Sequence, residues 1–348
     1  MPPAFLARLQ RDLPADAAAI VAALAPRARI GARLNPLVAP PAATLEALQA
    51  RHGDAITALP GLPHAVVLPA ALRAALVDDP AVRGGALQLQ NPSSQLPVLA
   101  LSPRPGEEVL DLAAAPGGKT LHIAALMAGT GRLAAVEAVK ARFFRLRENL
   151  NVGGAAHVHC YLMDGRQVAH KTPARFDRVL LDAPCSSEAR FDAADPGSWA
   201  HWSAHKEAEC VRKQRGLLAA GLAALKPGGT LVYSTCAFSV AENEGVVDEA
   251  LRLAAGTVEV LPWQPPPEAG VRVRAGCVAH AGRPLLPALA LTLRVLPDDL
   301  FDGFFVAVLR KRDDAPGDAA AAPAAGRRQV PGLGQASRRD RGKGRSRR

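Results

Sequence analysis

Apolar residues recur along the chain in two rhythms, one helical and one alternating, and the two take turns. Phe5 to Leu13 and Ala15 to Leu24 carry helical spacing. Arg29 to Leu34 reads as a short strand stopped by Asn35-Pro36, Thr44 to Arg51 as a helix, Ala65 to Leu68 as a strand and Ala70 to Val77 as a helix. Residues 1–85 are therefore expected to form a small α+β unit. No obvious chemistry lies in it.

The character changes near Leu99. Glu108 to Leu112 is an apolar run ending in an acid, followed by a glycine turn and a helix from Leu121 to Ala128. Arg132 to Val136 is a second strand, ending in Glu137, and Ala141 to Asn149 a helix. A third strand, Ala156 to Tyr161, has Asp164 just beyond it, and a fourth, Phe176 to Leu181, ends in Asp182. The helix Lys206 to Leu225 stops at Lys226-Pro227-Gly228-Gly229. A fifth strand runs from Thr230 to Ser234, and a helix from Val240 to Leu253 with Glu242 and Glu244 in its first turn. Phe304-Phe305 reads as core of a last strand. Strands alternating with helices over short links predict a parallel sheet covered on both faces. Such sheets bind ligands beyond the carboxyl ends of their strands, where Gly117, Glu137, Asp164, Asp182 and Cys236 all fall.

Charge changes the picture at one end. The net charge is +10, and residues 327–348 hold +8 of it. This Arg-, Gly- and Ser-rich stretch has too few apolar residues to build a core and is expected to be disordered. It suits a tether to nucleic acid, with a solvated tail as the plainer reading. No apolar run reaches membrane-span length, and residues 1–25 lack the pattern of a signal peptide. The five cysteines show no C-x-x-C pair, so no metal site is expected. Their odd number, with no secretion signal, suits a reducing cytoplasm.

The chemistry lies at the strand ends. Ala113 to Lys119 lets a ligand approach the backbone, but its spacing matches neither common phosphate-binding pattern, so a nucleoside without phosphates fits better. Glu137 would accept from both ribose hydroxyls and Asp164 from the adenine amino group. Each acid taken alone is more simply a surface carboxylate or a helix cap. Cys185 and Cys236 follow adjacent strand ends. A lone cysteine is more often a buried small hydrophobe; two at the active edge point to thiolate chemistry. Carbon 5 of a cytosine attacks a methyl sulfonium only after a thiolate adds to carbon 6. An acid must then offset the charge on the ring, and a base must remove the carbon 5 proton. Lys119 could favour the thiolate by its charge. On chemistry alone either cysteine could be the nucleophile. Trp199 and Trp202 could stack on a base, although packing against the sheet accounts for them as well. Cys160, Cys210 and Cys277 carry no special signal.

The sequence reads DLAAAPGGKT at 111–120, MDGR at 163–166, LDAPCSS at 181–187 and YSTCAFSVAENE at 233–244. It also carries RLNPL at 33–37, QNPSSQLPVLAL at 90–101 and DGFFVAVLRK at 302–311. In this combination the chain resembles the Nop/Sun family of RNA cytosine-5 methyltransferases over roughly residues 30–312. The resemblance implies a Rossmann-like α/β methyltransferase fold with a mostly parallel seven-stranded sheet, preceded by a small α+β N-terminal domain. Its divisions are an RNA-binding unit at 1–85, a methyltransferase domain at 86–312 and a basic tail at 313–348. The resemblance implies S-adenosylmethionine as cofactor, held by Ala113, Ala114, Ala115, Pro116, Gly117, Gly118 and Lys119 with Glu137, Asp164 and Asp182. It makes Cys236 the nucleophile, Cys185 the residue assisting release, and Asp182, with Lys119, part of the catalytic group. The implied partner is RNA, ribosomal RNA first with transfer RNA as the alternative in the same chemical class, acted on by a cytoplasmic monomer that contacts neither membrane nor metal. An idle RNA-binding assembly factor is the competing class, and the intact cysteine pair argues against it. Two departures stand out. Ala113 replaces a common Cys, and SSEARFDAADPGSW follows Cys185 in place of Ser-Gly-Thr-Gly, nearer the mitochondrial-type branch.

Overall fold

The computed structural model describes residues 1–313; the expected basic tail, its first residue apart, lies outside the described residues. Four short strands come first: β1 (Arg29–Leu34), β2 (Thr57–Ala58), β3 (Ala65–Pro69) and β4 (Leu87–Leu89). They form an antiparallel sheet in the order β2-β3-β1-β4. Its apolar face (Ala32, Leu34, Val66, Leu68, Leu87) closes on Leu48 of the helix Pro41–His52 and on Leu76. β4 falls beyond the expected division at residue 85, because it completes the sheet that β1 began.

The second sheet has nine strands among the described residues, not the seven expected. Its centre is β5 (Glu108–Asp111), β6 (Arg132–Glu137), β7 (His159–Leu162), β8 (Phe176–Asp182) and β9 (Leu225–Thr235), all parallel to one another. β10 (Val258–Leu261), β11 (Val273–Ala275), β14 (Leu293–Val295) and β15 (Phe304–Lys311) add antiparallel pairs on the β9 side, with a small hairpin, β12 (Ala279–His280) and β13 (Arg283–Pro284), between them. The path runs β11-β14-β15-β9-β8-β5-β6-β7.

Strand alternation sorts side chains between two cores. Along β15, Phe304, Val306 and Val308 face one side, and Phe305, Ala307 and Leu309 the other. One face is covered by the helices Leu96–Leu101, Gly118–Leu126 and Lys140–Val152, and also by Phe5, Leu9 and Ile20 of the two N-terminal helices. The other is covered by the helices Ala204–Ala224 and Glu244–Leu253. The first residues of the chain therefore share the main core, and both sheets belong to one compact unit. The order of connection reverses at β5, with β6 on one side of it and β8 on the other, which opens a crevice at their carboxyl ends.

Candidate active site at the carboxyl edge of the central sheet

β5, β8 and β9 are adjacent and parallel, so the residues that follow them emerge side by side. Asp111 ends β5, Asp182 ends β8 opposite Ser234, and Cys236 follows β9. The Ala183 amide continues the ladder by donating to the Ser234 carbonyl at 2.8 Å. Two residues on from each of these, the Sγ atoms of Cys185 and Cys236 are 3.5 Å apart.

A cavity of about 1150 Å³ opens there. Asp111, Ala113, Ala114, Ala115, Pro116, Gly118 and Lys119 line one side, with Asp182, Cys185 and Cys236 at its base. Arg27, Arg29, Arg73, Gln88 and Gln90 of the N-terminal part and Arg190 complete the wall. Gly117 does not line it. Its φ of +111° makes the turn into the helix, and a side chain there would press within 3.0 Å of Leu146.

The polar groups are mutually held. Lys119 Nζ donates to Asp182 Oδ2 at 2.7 Å and to Ser94 Oγ at 3.3 Å, and lies 5.4 Å from the centre of the Phe304 ring. The Ser234 hydroxyl donates to the other Asp182 oxygen at 3.0 Å. Cys236 is buried, yet its pKa is brought down to about 7. The first cause is the hydrogen bond from the Cys185 thiol. Burial opposes it, the Arg190 charge assists, Asp182 opposes and Lys119 assists. The same bond, with burial, pushes Cys185 well above an ordinary thiol. The pair shares one proton, and the cations favour Cys236 as the charged member. The cation that matters most to Cys236 is thus Arg190 rather than Lys119, whose charge is taken up by Asp182.

Glu137 and Asp164 do not line the cavity. Glu137 is buried at the end of β6, where Oε1 accepts from the Val139 amide at 2.8 Å and Oε2 lies 3.7 Å from Arg142. Asp164 caps the turn after β7 and is bound by Arg166 through its amide (2.9 Å) and its guanidinium, which holds the carboxyl below its ordinary range. Trp199 and Trp202 are taken up in packing. Trp202 meets Phe5 edge to face at 5.8 Å, and Trp199 meets Phe191 at 6.1 Å.

Several residues of the site carry little or no signal in the sequence. Asp111 stands out there only as an acid closing a strand. It is fully buried, one oxygen accepts from Thr120 Oγ1 at 2.7 Å, the other has no hydrogen-bond partner, and burial raises its pKa to about 7. Arg190 and Glu188 lie in the departing segment after Cys185, and no periodic signal marks them.

The donor set suits a nucleoside carrying a positive charge. Carboxylates end β5, β6 and β8. One Asp111 oxygen is buried and unpartnered beside the Ala113–Pro116 segment. Lys119 is already paired, so the loop lacks the free cation that a phosphate would ask for. The volume exceeds what one drug-sized ligand fills, leaving room for a second. S-adenosylmethionine fits these features.

The model of the 16S rRNA methyltransferase RsmB/F family matches residues 98–310. The Ribosomal RNA small subunit methyltransferase F of Klebsiella pneumoniae (strain 342) is 36% identical over 232 residues, 65% of this chain and 45% of that protein. The chain thus spans about half the length of the curated relatives it matches. A methyltransferase homolog protein from Pyrococcus horikoshii is similar in structure, with a TM-score of 0.75 and 30% identity over 89% of this chain and 95% of that one. NSun6 from the same organism, solved with SFG, shares the fold at a TM-score of 0.72 and 21% identity, covering 89% of this chain and 98% of its own. The chain belongs to the 16S rRNA methyltransferase RsmB/F family.

Proposed function

We propose that the chain transfers a methyl group from S-adenosylmethionine to carbon 5 of a cytosine in ribosomal RNA, with Cys236 as nucleophile. The observation that carries this reading is the thiol pair, 3.5 Å apart, at the base of a cavity that the Ala113–Pro116 segment also lines. The family supports the methyl donor and the RNA class. The cofactor supplies an electrophilic methyl group. Asp111 and the Ala113–Gly118 backbone would hold it, with Glu137 and Asp164 reaching it after release from Arg142 and Arg166. The arginine-bearing wall of the N-terminal part would take the RNA strand.

The steps follow from the charges. The Cys236 thiolate adds to carbon 6 of the base, and the new S–C6 bond makes carbon 5 nucleophilic. Carbon 5 takes the methyl group while Lys119, held by Asp182 at the N3 edge, offsets the negative charge on the ring. Once bonded to carbon, Cys236 no longer carries the anion that kept Cys185 protonated. Cys185 loses its proton to water and takes the proton from carbon 5. That electron pair rebuilds the C5–C6 double bond as the S–C6 bond breaks, which restores the Cys236 thiolate.

The test is the Cys185→Ala protein with S-adenosylmethionine and RNA from cells lacking this chain. Removing the Cys185 donor raises the Cys236 pKa, so the incubation is best run near pH 8.5, about one and a half units above that of the paired thiol. We expect a protein–RNA adduct that survives denaturing electrophoresis and disappears in Cys185→Ala/Cys236→Ala; sequencing its RNA names the substrate. Full turnover by Cys236→Ala would sink the assignment.

A further inference from the structure

We propose that Arg8, on the helix Pro3–Asp12, is a positioning residue for both cysteines, acting through Glu188; this rests on the reading of Cys236 as nucleophile. Residue 8 lies outside the span that the family model matches.

Glu188 sits three residues after Cys185 and is fully buried. Its Oε1 accepts from Arg8 Nη2 at 2.6 Å and Trp202 Nε1 at 2.8 Å, and its Oε2 accepts from the Phe238 amide at 2.9 Å. Phe238 follows Cys236 by two residues. One carboxylate therefore ties the loop after Cys185 to the loop after Cys236. Next to it, the Ala189 amide donates to the Cys236 carbonyl at 3.1 Å. A second buried acid repeats the arrangement. Glu207 Oε1 accepts from Arg8 Nη1 at 3.3 Å and from Ser239 Oγ at 2.5 Å. Two of the holds on the loop 236–239 are thus carboxylates, and Arg8 supplies the counter-charge to both; Arg294 Nη1 donating to the Phe238 carbonyl at 3.0 Å and Asn243 Nδ2 donating to the Ala237 carbonyl at 2.9 Å hold it as well.

Little else can replace it. The Phe5 and Trp202 rings flank the guanidinium at 5.7 and 6.0 Å. Of the other charged groups near this cluster, Asp12 and Glu242 are acids and add to the need for a cation, while Arg294 is engaged by Glu244. Burial works against the charge on Arg8, but Glu188 and Glu207 outweigh it and raise its pKa. Without Arg8, two carboxylates would be buried and unpaired; they would have to take up protons or move. Either change weakens the hold on Phe238 and Ser239, and so loosens the 3.5 Å spacing of the thiols. The groups that then set the charge state of Cys236 are Cys185, Arg190, Asp182 and Lys119, and their distances to it change together.

Arg8→Met, Arg8→Lys and Glu188→Gln in the full chain test this. Methyl transfer is resolved into kcat and KM, and alkylation of Cys236 by iodoacetamide is followed against pH by peptide mass spectrometry. We expect Arg8→Met to lower kcat about 10- to 100-fold while KM for RNA and cofactor stays within about two-fold. The alkylation inflection should move upward. Arg8→Lys, which restores the charge, should recover most of both losses. Glu188→Gln leaves no unpaired buried charge, so it tests the same link should Arg8→Met fail to fold; its amide nitrogen would face the Phe238 N–H, and the same shift is expected. Folded Arg8→Met or Glu188→Gln protein with an unmoved alkylation profile overturns the proposal, whatever happens to its melting temperature or kcat. The alkylation arm needs no RNA, so it still decides if wild-type protein proves to methylate something other than cytosine.

Discussion

Cys236 can hold a negative charge near neutral pH only because its neighbours outweigh its burial. A thiolate in an apolar pocket is disfavoured. Here the Cys185 thiol donates to it, and Arg190 stands in the same cavity wall. Arg190 is exposed at the cavity wall, its guanidinium hydrogen-bonds to no described residue, and its own pKa is raised first by Cys236. Arg190→Met should therefore move the inflection of Cys236 alkylation up from about 7 by roughly one unit. The reactive fraction at pH 7 would fall from about half to about a tenth, with Arg190→Lys intermediate. An unmoved inflection would remove Arg190 from the chemistry. The cysteines, Asp182 and Lys119 could be found in the sequence because each lies within two or three residues of a strand end or in the glycine turn. Arg190 could not. It is brought to Cys236 by the Ala189–Cys236 hydrogen bond and by the anchoring of Glu188, contacts 47 to 180 residues apart along the chain.

At the level of elements, the helix expected from Val240 starts only at Glu244. Tertiary bonds claim the intervening residues. Glu242 accepts from the Ser186 amide at 3.0 Å, from its hydroxyl, and from Gln214 Nε2 at 2.8 Å, while the Tyr233 hydroxyl donates to the Glu242 carbonyl at 2.6 Å. Local spacing carried no sign of partners on a strand, a loop and the helix Ala204–Ala224. The same reason hid β11 and β14, three-residue strands in a Pro-rich stretch whose pairing β15 decides. The apolar runs of β8, of β9 from Thr230 and of β15 at Phe304-Phe305 were plain from the pattern, by contrast, although Leu225 to Gly229, read as a helix end and its stop, opens β9. Burial, ahead of repulsion by Glu188, raises Glu242 from 4.5 to about 7. A carboxyl raised in the folded state binds its proton more tightly there. Its contribution to stability is complete below pH 4.5 and is lost as pH rises towards 7. Glu242→Gln, a permanently neutral isostere, should flatten the fall in melting temperature between pH 5 and 7.5 and melt a few degrees higher than wild type at pH 8. Asp111, raised to about 7, contributes a slope of the same sign, so part of the fall should persist. A melting curve at pH 8 that is lower for Glu242→Gln would show that the charged form of Glu242 is the stabilising one.

Over the whole molecule, two arginines from the N-terminal part reach the two halves of the site. Arg8 braces the thiol loops. Arg33, on β1 and 1% exposed, donates to Gln88 Oε1 at 2.8 Å, to Gln90 Oε1 at 3.2 Å and to the Gly118 carbonyl at 3.3 Å. Gly118 opens the helix that follows the glycine turn, so Arg33 holds the glycine-turn side of the cavity while Arg8 holds the cysteine side. No carboxylate pairs with Arg33 among the described residues, and burial lowers its pKa to about 10. Its removal therefore leaves no orphaned acid, in contrast to that of Arg8, but it takes the donor from three acceptors that shape one wall of the cavity. The two substitutions should separate in kinetics. Arg8→Met is expected in kcat, whereas Arg33→Met should weaken S-adenosylmethionine binding about three- to ten-fold by calorimetry with kcat nearly kept. Cofactor affinity equal to wild type in Arg33→Met would mean that the N-terminal sheet merely covers the glycine turn. A loss confined to binding would mean that residues outside the family-matched span hold both halves of the site in register.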